Sequence, residues 1–95
     1  MDVPKEFRDL SRKVSIDVLP LVADTPEGMI DFVVEGTTNA EAKTIIAFLD
    51  DVLSGRHSDE AVEHMWAKAP AGVYFGNVTE LKVFLTMVRD RLAKM

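Results

Sequence analysis

His57, Glu60 and His64, with Asp59 and Glu63 among them, fall within "GRHSDEAVEHMW", Gly55 to Trp66, the densest gathering of metal ligands and proton carriers in the chain. Zinc binding would require the two histidines and Glu60 to converge. Glu60 and His64 have the i, i+4 step that sets two ligands on one helix face. Ser58 has the residue type of a helix cap, however, so His57 precedes the helix and its ring is free to point elsewhere. No other histidine and no cysteine occurs in the chain. Two dependable ligands fall short of the set that structural or catalytic zinc takes, so neither a metal nor a cofactor is expected.

Catalysis by carboxylates fares no better, because the acids occupy positions predicted to face water, where nothing shifts their pKa values. The sequence has no nucleophile elbow, glycine-rich phosphate loop or H-E-x-x-H pair. We therefore expect no enzyme and no catalytic residue. The absence of cysteine also excludes disulfides and thiolate chemistry, which suits a reducing compartment and leaves stability to packing. The start, "MDVPKEFRDL", carries charges of both signs where a signal peptide needs a basic start and an apolar run. With apolar runs of only a few residues, no membrane span is expected, and the expected location is the cytoplasm.

The elements that position these residues follow from spacing. At 95 residues, 47% of them hydrophobic and 28% charged, the chain is expected to form a single helical domain, 1–95, with one core. Phe7, Leu10, Val14, Val18 and Leu21 recur at steps of three and four and predict a helix from Val3 to about Leu19, ended by Pro20. The alternation of Val14, Ile16 and Val18 leaves a strand open there. Thr25 as cap and Pro26 at the first helical position predict a second helix to about Glu35. A hairpin leading into "MIDFVV" is the alternative, because Val33 and Val34 favour strand. Thr38 and Glu41 have capping-box spacing ahead of an apolar face of Ala42, Ile45, Ile46, Leu49, Val52 and Leu53, which Gly55 ends.

Ser58 opens a fourth helix with Ala61, Val62, Met65, Trp66 and Ala69 on its buried stripe, and "APAG" closes it. Asn77 and Glu80 repeat the capping-box spacing before a last helix whose seam is Val78, Leu81, Leu85, Val88 and Leu92. The expectation is a compact all-α bundle of four to five short helices, with a short extended or hairpin piece as the alternative in the N-terminal third. Trp66 and Phe75 read as core. Tyr74, in the "VYF" link between two glycines, reads equally as core or as an exposed contact residue.

Charge is segregated along the chain. Residues 1–23 balance, residues 64–95 are net +3, and from Asp24 to Glu63 ten acids face only Lys43 and Arg56, net −8. Glu27, Asp31 and Glu35 repeat every fourth residue and form one acidic stripe on a helix. Like charges so spaced weaken the helix by about 0.2–0.5 kcal/mol per pair, so helix stability does not explain them. Asp50, Asp51, Asp59, Glu60 and Glu63 make a second cluster around the turn between the third and fourth helices. A solvated face and a docking surface for a basic partner both fit. The few basic residues, mixed with Asp90, exclude a phosphate-binding stripe, so no nucleic acid is expected as ligand.

The stretch "FLDDVLSGRHSDEAVEHMWAKAPAGVYFGNVTELKVFLTMVRDRL", Phe48 to Leu92, resembles small helical immunity proteins of bacterial toxin systems, of the colicin and contact-dependent growth inhibition kind. The likeness covers about half the chain and lies in the order helix, "SDE", tryptophan, "YF" and a final amphipathic helix. It implies a cytoplasmic antitoxin that binds and blocks a basic toxin domain, such as a nuclease. On that reading Glu27, Asp31, Glu35, Asp50, Asp51, Asp59, Glu60 and Glu63 pair with the partner's Lys and Arg, Tyr74 is an aromatic anchor, and the protein is a monomer or weak homodimer. The rival is a small homo-oligomeric assembly module, without a toxin partner, that buries Trp66 and Phe84.

Overall fold

The computed structural model describes residues 2–14, 26–71 and 75–94. These form five helices: α1 (Lys5–Ser11), α2 (Pro26–Val34), α3 (Asn39–Leu53), α4 (Asp59–Lys68) and α5 (Val78–Ala93). No strand occurs among the described residues. The hairpin alternative for "MIDFVV" is thereby settled in favour of helix, while the alternation at Ile16 and Val18 lies outside the described residues. α5 packs against α3, α2 and α4, and α1 closes over α3 and α2. The radius of gyration, 12.4 Å, matches the roughly 12 Å of a close-packed chain of this length.

α1 is shorter than its periodicity predicts. The chain leaves α1 at Arg12, whereas the predicted end near Leu19 lies outside the described residues. The Ser11 hydroxyl donates to the Arg8 carbonyl at 2.8 Å. The N–H groups of Lys13 and Val14 then bond three residues back, to Leu10 and Ser11, at 3.1 and 3.0 Å. That tightening to i−3 bonds ends the i−4 ladder of α1. Phe7, Leu10 and Val14 are buried as expected; Val18 and Leu21 lie outside the described residues.

Caps account for most of the other boundaries. α2 stops before Gly36, whose φ of +81° is the left-handed conformation that turns the chain toward α3. The capping box at Thr38 is complete. Glu41 N–H donates to the Thr38 hydroxyl at 3.2 Å and Thr38 N–H to the Glu41 carboxylate at 3.1 Å. α3 ends at Leu53, just ahead of Gly55 with its φ of +88°, and the Ser58 hydroxyl accepts from Ala61 N–H at 3.1 Å to open α4. The predicted box at α5 is displaced by one residue. Asn77 accepts from Glu80 N–H at 2.9 Å, but the Glu80 carboxylate takes the N–H of Gly76, at 3.3 Å, instead of Asn77's own. Thr25, the predicted cap of α2, lies outside the described residues.

The core runs through all five helices: Phe7 and Leu10 from α1, Ile30, Val33 and Val34 from α2, Ile45, Phe48, Leu49 and Val52 from α3, Val62, Met65 and Trp66 from α4, and Leu81, Leu85, Val88 and Leu92 from α5. An aromatic chain threads it. Phe48 meets Phe7 at 5.0 Å between ring centroids, Phe7 meets Trp66 at 6.3 Å, and Trp66 meets Phe75 and Phe84 at 5.8 and 5.9 Å. Phe75 and Phe84 lie 5.1 Å apart. Tilted and edge-on arrangements of this kind add attraction beyond buried area. They tie α1, α3, α4 and α5 to the link that precedes α5.

Candidate partner-binding surface

The acidic residues divide by what the fold does with them. Asp31 on α2 reaches Arg91 at 2.7 Å, Asp50 on α3 reaches Arg89 at 2.8 Å, and Asp59 on α4 reaches Lys82 at 2.8 Å. All three cations come from α5, so the basic end of the sequence folds back onto its acidic middle. Asp51 is taken by His57 at 2.7 Å, with Arg56 3.9 Å away. Glu27, Glu35, Glu60 and Glu63 are exposed and make no ion pair among the described residues.

This corrects two expectations. Asp31 has a structural explanation after all, because its charge ties α2 to α5, so the stripe Glu27, Asp31, Glu35 is not uniformly free. Asp50, Asp51 and Asp59 likewise hold intramolecular partners, with side chains that remain 53%, 42% and 63% exposed. Spacing places residues on a helix face but says nothing about which other helix the face meets. Tyr74 lies outside the described residues.

The electrostatics agree with these contacts. The pKa of Arg89 is raised, first by its hydrogen bond to Asp50 and then by the Asp50 charge. That of Glu41 is lowered, first by the Thr38 N–H it accepts. Each shift thus follows from an ion pair or a cap. No buried side-chain nitrogen or oxygen among the described residues lacks a hydrogen-bond partner. His57 turns to Asp51 on the end of α3, away from any shared site with Glu60 and His64. Among the described residues no group of three or more His, Cys, Asp or Glu is disposed to hold a metal, and no helix is long and apolar enough to cross a membrane.

An apolar groove between α2 and α5 is the feature that spacing did not single out. It has a volume of about 470 Å³ and is lined by Met29, Ile30, Phe75, Val83, Phe84 and Met87, with Thr79 and Glu80 at one end. Val83 is 56% exposed, the one large hydrophobic so placed among the described residues. The signal was present in α5, where Thr79, Val83 and Met87 make a second strip beside the predicted seam. Trp66, in contrast, is only 4% exposed, which removes it from any homodimer contact, while Phe84 stays half-buried at the groove. The arrangement offers partners carboxylate charge and apolar area. No protein-family model matches the chain, and no curated protein and no solved structure is significantly similar to it.

Proposed function

We propose that the protein is a stoichiometric inhibitor of the immunity, or antitoxin, type, which acts in the cytoplasm of a bacterium by binding a basic toxin domain, a nuclease being the best-fitting class. It performs no reaction of its own. One observation carries this reading: after the fold has used Asp31, Asp50, Asp51 and Asp59 internally, the exposed glutamates Glu27, Glu35, Glu60 and Glu63 have no ion pair among the described residues, on a chain of net charge −5. Their role is to steer and hold lysines and arginines that otherwise grip a phosphate backbone. The resemblance of Phe48 to Leu92 to helical immunity proteins supplies the kind of partner.

The test is co-purification of the tagged protein with the product of the adjacent reading frame. Support is recovery of a basic domain in equimolar amount, released by salt, with slower association after Glu60→Lys and Glu63→Lys. Recovery of the bait alone as a discrete oligomer sinks the inhibitor reading. It would favour the second reading, a homo-oligomeric assembly module, for which exposed Val83 beside Phe84 and Met87 is the specific observation.

A further inference from the structure

We infer that the groove between α2 and α5 is a docking site for an amphipathic helical segment of a partner protein, one that presents an apolar stripe flanked by lysine or arginine. The inference does not depend on the partner's being a toxin. It rests on the shape of the groove, the chemistry of its walls and the sign of its uncompensated charge.

The walls are apolar and adaptable. Met29 and Met87 face the groove with Ile30, Val83, Phe75 and Phe84, and methionine side chains reshape to suit different apolar partners. The floor is firm, because Phe75 and Phe84 pack in tilted and edge-on contacts on each other and on buried Trp66. On α5 the groove runs from Thr79 to Met87, roughly 12 Å at the helical rise. This is the span over which a partner helix lays down side chains at i, i+3, i+4 and i+7. A small apolar molecule would leave Val83, 56% exposed, largely in water; a crossing helix covers it.

The charge at the border selects the partner's sign. Glu80 lines the groove, its Oε2 accepting the Gly76 N–H at 3.3 Å, and makes no ion pair among the described residues. Glu27, in the first turn of α2 and one turn before Ile30, has no ion pair among the described residues. Arg91, one turn beyond Met87, is already held by Asp31 at 2.7 Å. Lys82 and Arg89 are turned to Asp59 and Asp50 on the other flank of α5. The border is therefore net negative, which attracts a basic segment and repels an acidic one.

The experiment titrates the full chain with two synthetic helical peptides, one with leucines at i, i+3, i+4 and i+7 and lysines elsewhere, the other with glutamates in place of the lysines. The lysine peptide is expected to bind at least about tenfold more tightly than its acidic counterpart. Val83→Asp is expected to weaken it by about tenfold while the circular dichroism stays unchanged, and Glu27→Gln to flatten the salt dependence. Should Val83→Asp fail to fold, Val83→Ser reads the same contact with less perturbation. Equal affinity for both peptides, or no loss on either Val83 substitution, overturns the proposal. Sedimentation showing self-association that Val83→Asp abolishes would give the groove to a second copy. Tighter peptide binding after serine replaces Ile16, Val18 and Leu19 would give it to the chain's own segment. Either result also overturns the proposal.

Discussion

On one flank of α5, Lys82 and Arg89 reach out to Asp59 of α4 and Asp50 of α3, and the charges of both partners are spent within the fold. On the other flank, Val83 and Met87 face α2 across a groove, and Val83 is 56% exposed. The same helix supplies both, on either side of the buried seam Leu81, Leu85, Val88 and Leu92. The difference teaches that charge segregation along a sequence is not charge exposure in the fold. The strongly acidic middle of the chain is partly the complement of its basic end, whereas the remaining surface combines a few glutamates that have no ion pair among the described residues with an apolar strip.

The comparison breaks most completely at the seam that both flanks share. Leu85 is 0% exposed, so Leu85→Ala should cost about 2–5 kcal/mol through lost burial and the cavity left behind. Denaturant unfolding checks this, and both surfaces should be lost in one transition. Val83→Ser, two residues earlier and 56% exposed, should instead change stability by no more than about 0.5 kcal/mol. A loss like that of Leu85→Ala would place Val83 in the core and erase the distinction between seam and groove.

The ion pair that borders the groove should contribute little stability despite its good geometry. Asp31 and Arg91 are 2.7 Å apart, but their side chains are 59% and 44% exposed, so solvent and salt screen them. A double-mutant cycle through Asp31→Asn and Arg91→Gln should give a coupling of at most about 1 kcal/mol, smaller still at high salt. A salt-independent coupling well above that would mean that the pair fixes the angle between α2 and α5. The groove would then depend on the charges instead of merely neighbouring them. For the same reason Glu27 and Glu35 are the residues of the acidic stripe to reverse when testing partner association, since Asp31→Lys would set two cations against each other.

Local chemistry made most of the fold legible before any coordinates. The Thr38 and Glu41 box, Gly55 and the Ser58 cap each depend on residues within one turn, and all fall where spacing places them. The break in the first helix at Arg12 is not legible in the apolar spacing, because it is made by hydrogen bonds at Ser11 and Lys13. Phe48 was left off the predicted face of α3, yet it is buried against Phe7, a contact between distant parts of the chain. The candidate site was less legible for the same reason. Whether Asp50 is a docking residue or a structural one depends on Arg89, 39 positions away, and no pattern within a helix reports that.

The smallest expected effect separates an acid used through hydrogen bonding from the acids used through cations. Glu41 accepts the Thr38 N–H, and this bond, followed by the Thr38 hydroxyl, lowers its pKa below the ordinary value. A carboxyl lowered on folding stabilises the native state above its unfolded pKa, about 4.3 for glutamate, and that contribution is lost as the pH falls through the folded value. Glu41→Gln keeps an oxygen acceptor for the Thr38 N–H but cannot titrate. Its stability should therefore fall less steeply than the wild type's on acidification below about pH 4.3, while the two converge in shape at neutral pH. Urea unfolding at stepped pH values measures the slopes. Parallel slopes would mean that the acid sensitivity of the bundle comes from elsewhere than the Thr38–Glu41 cap, and that this carboxylate acts on the fold as a neutral acceptor would.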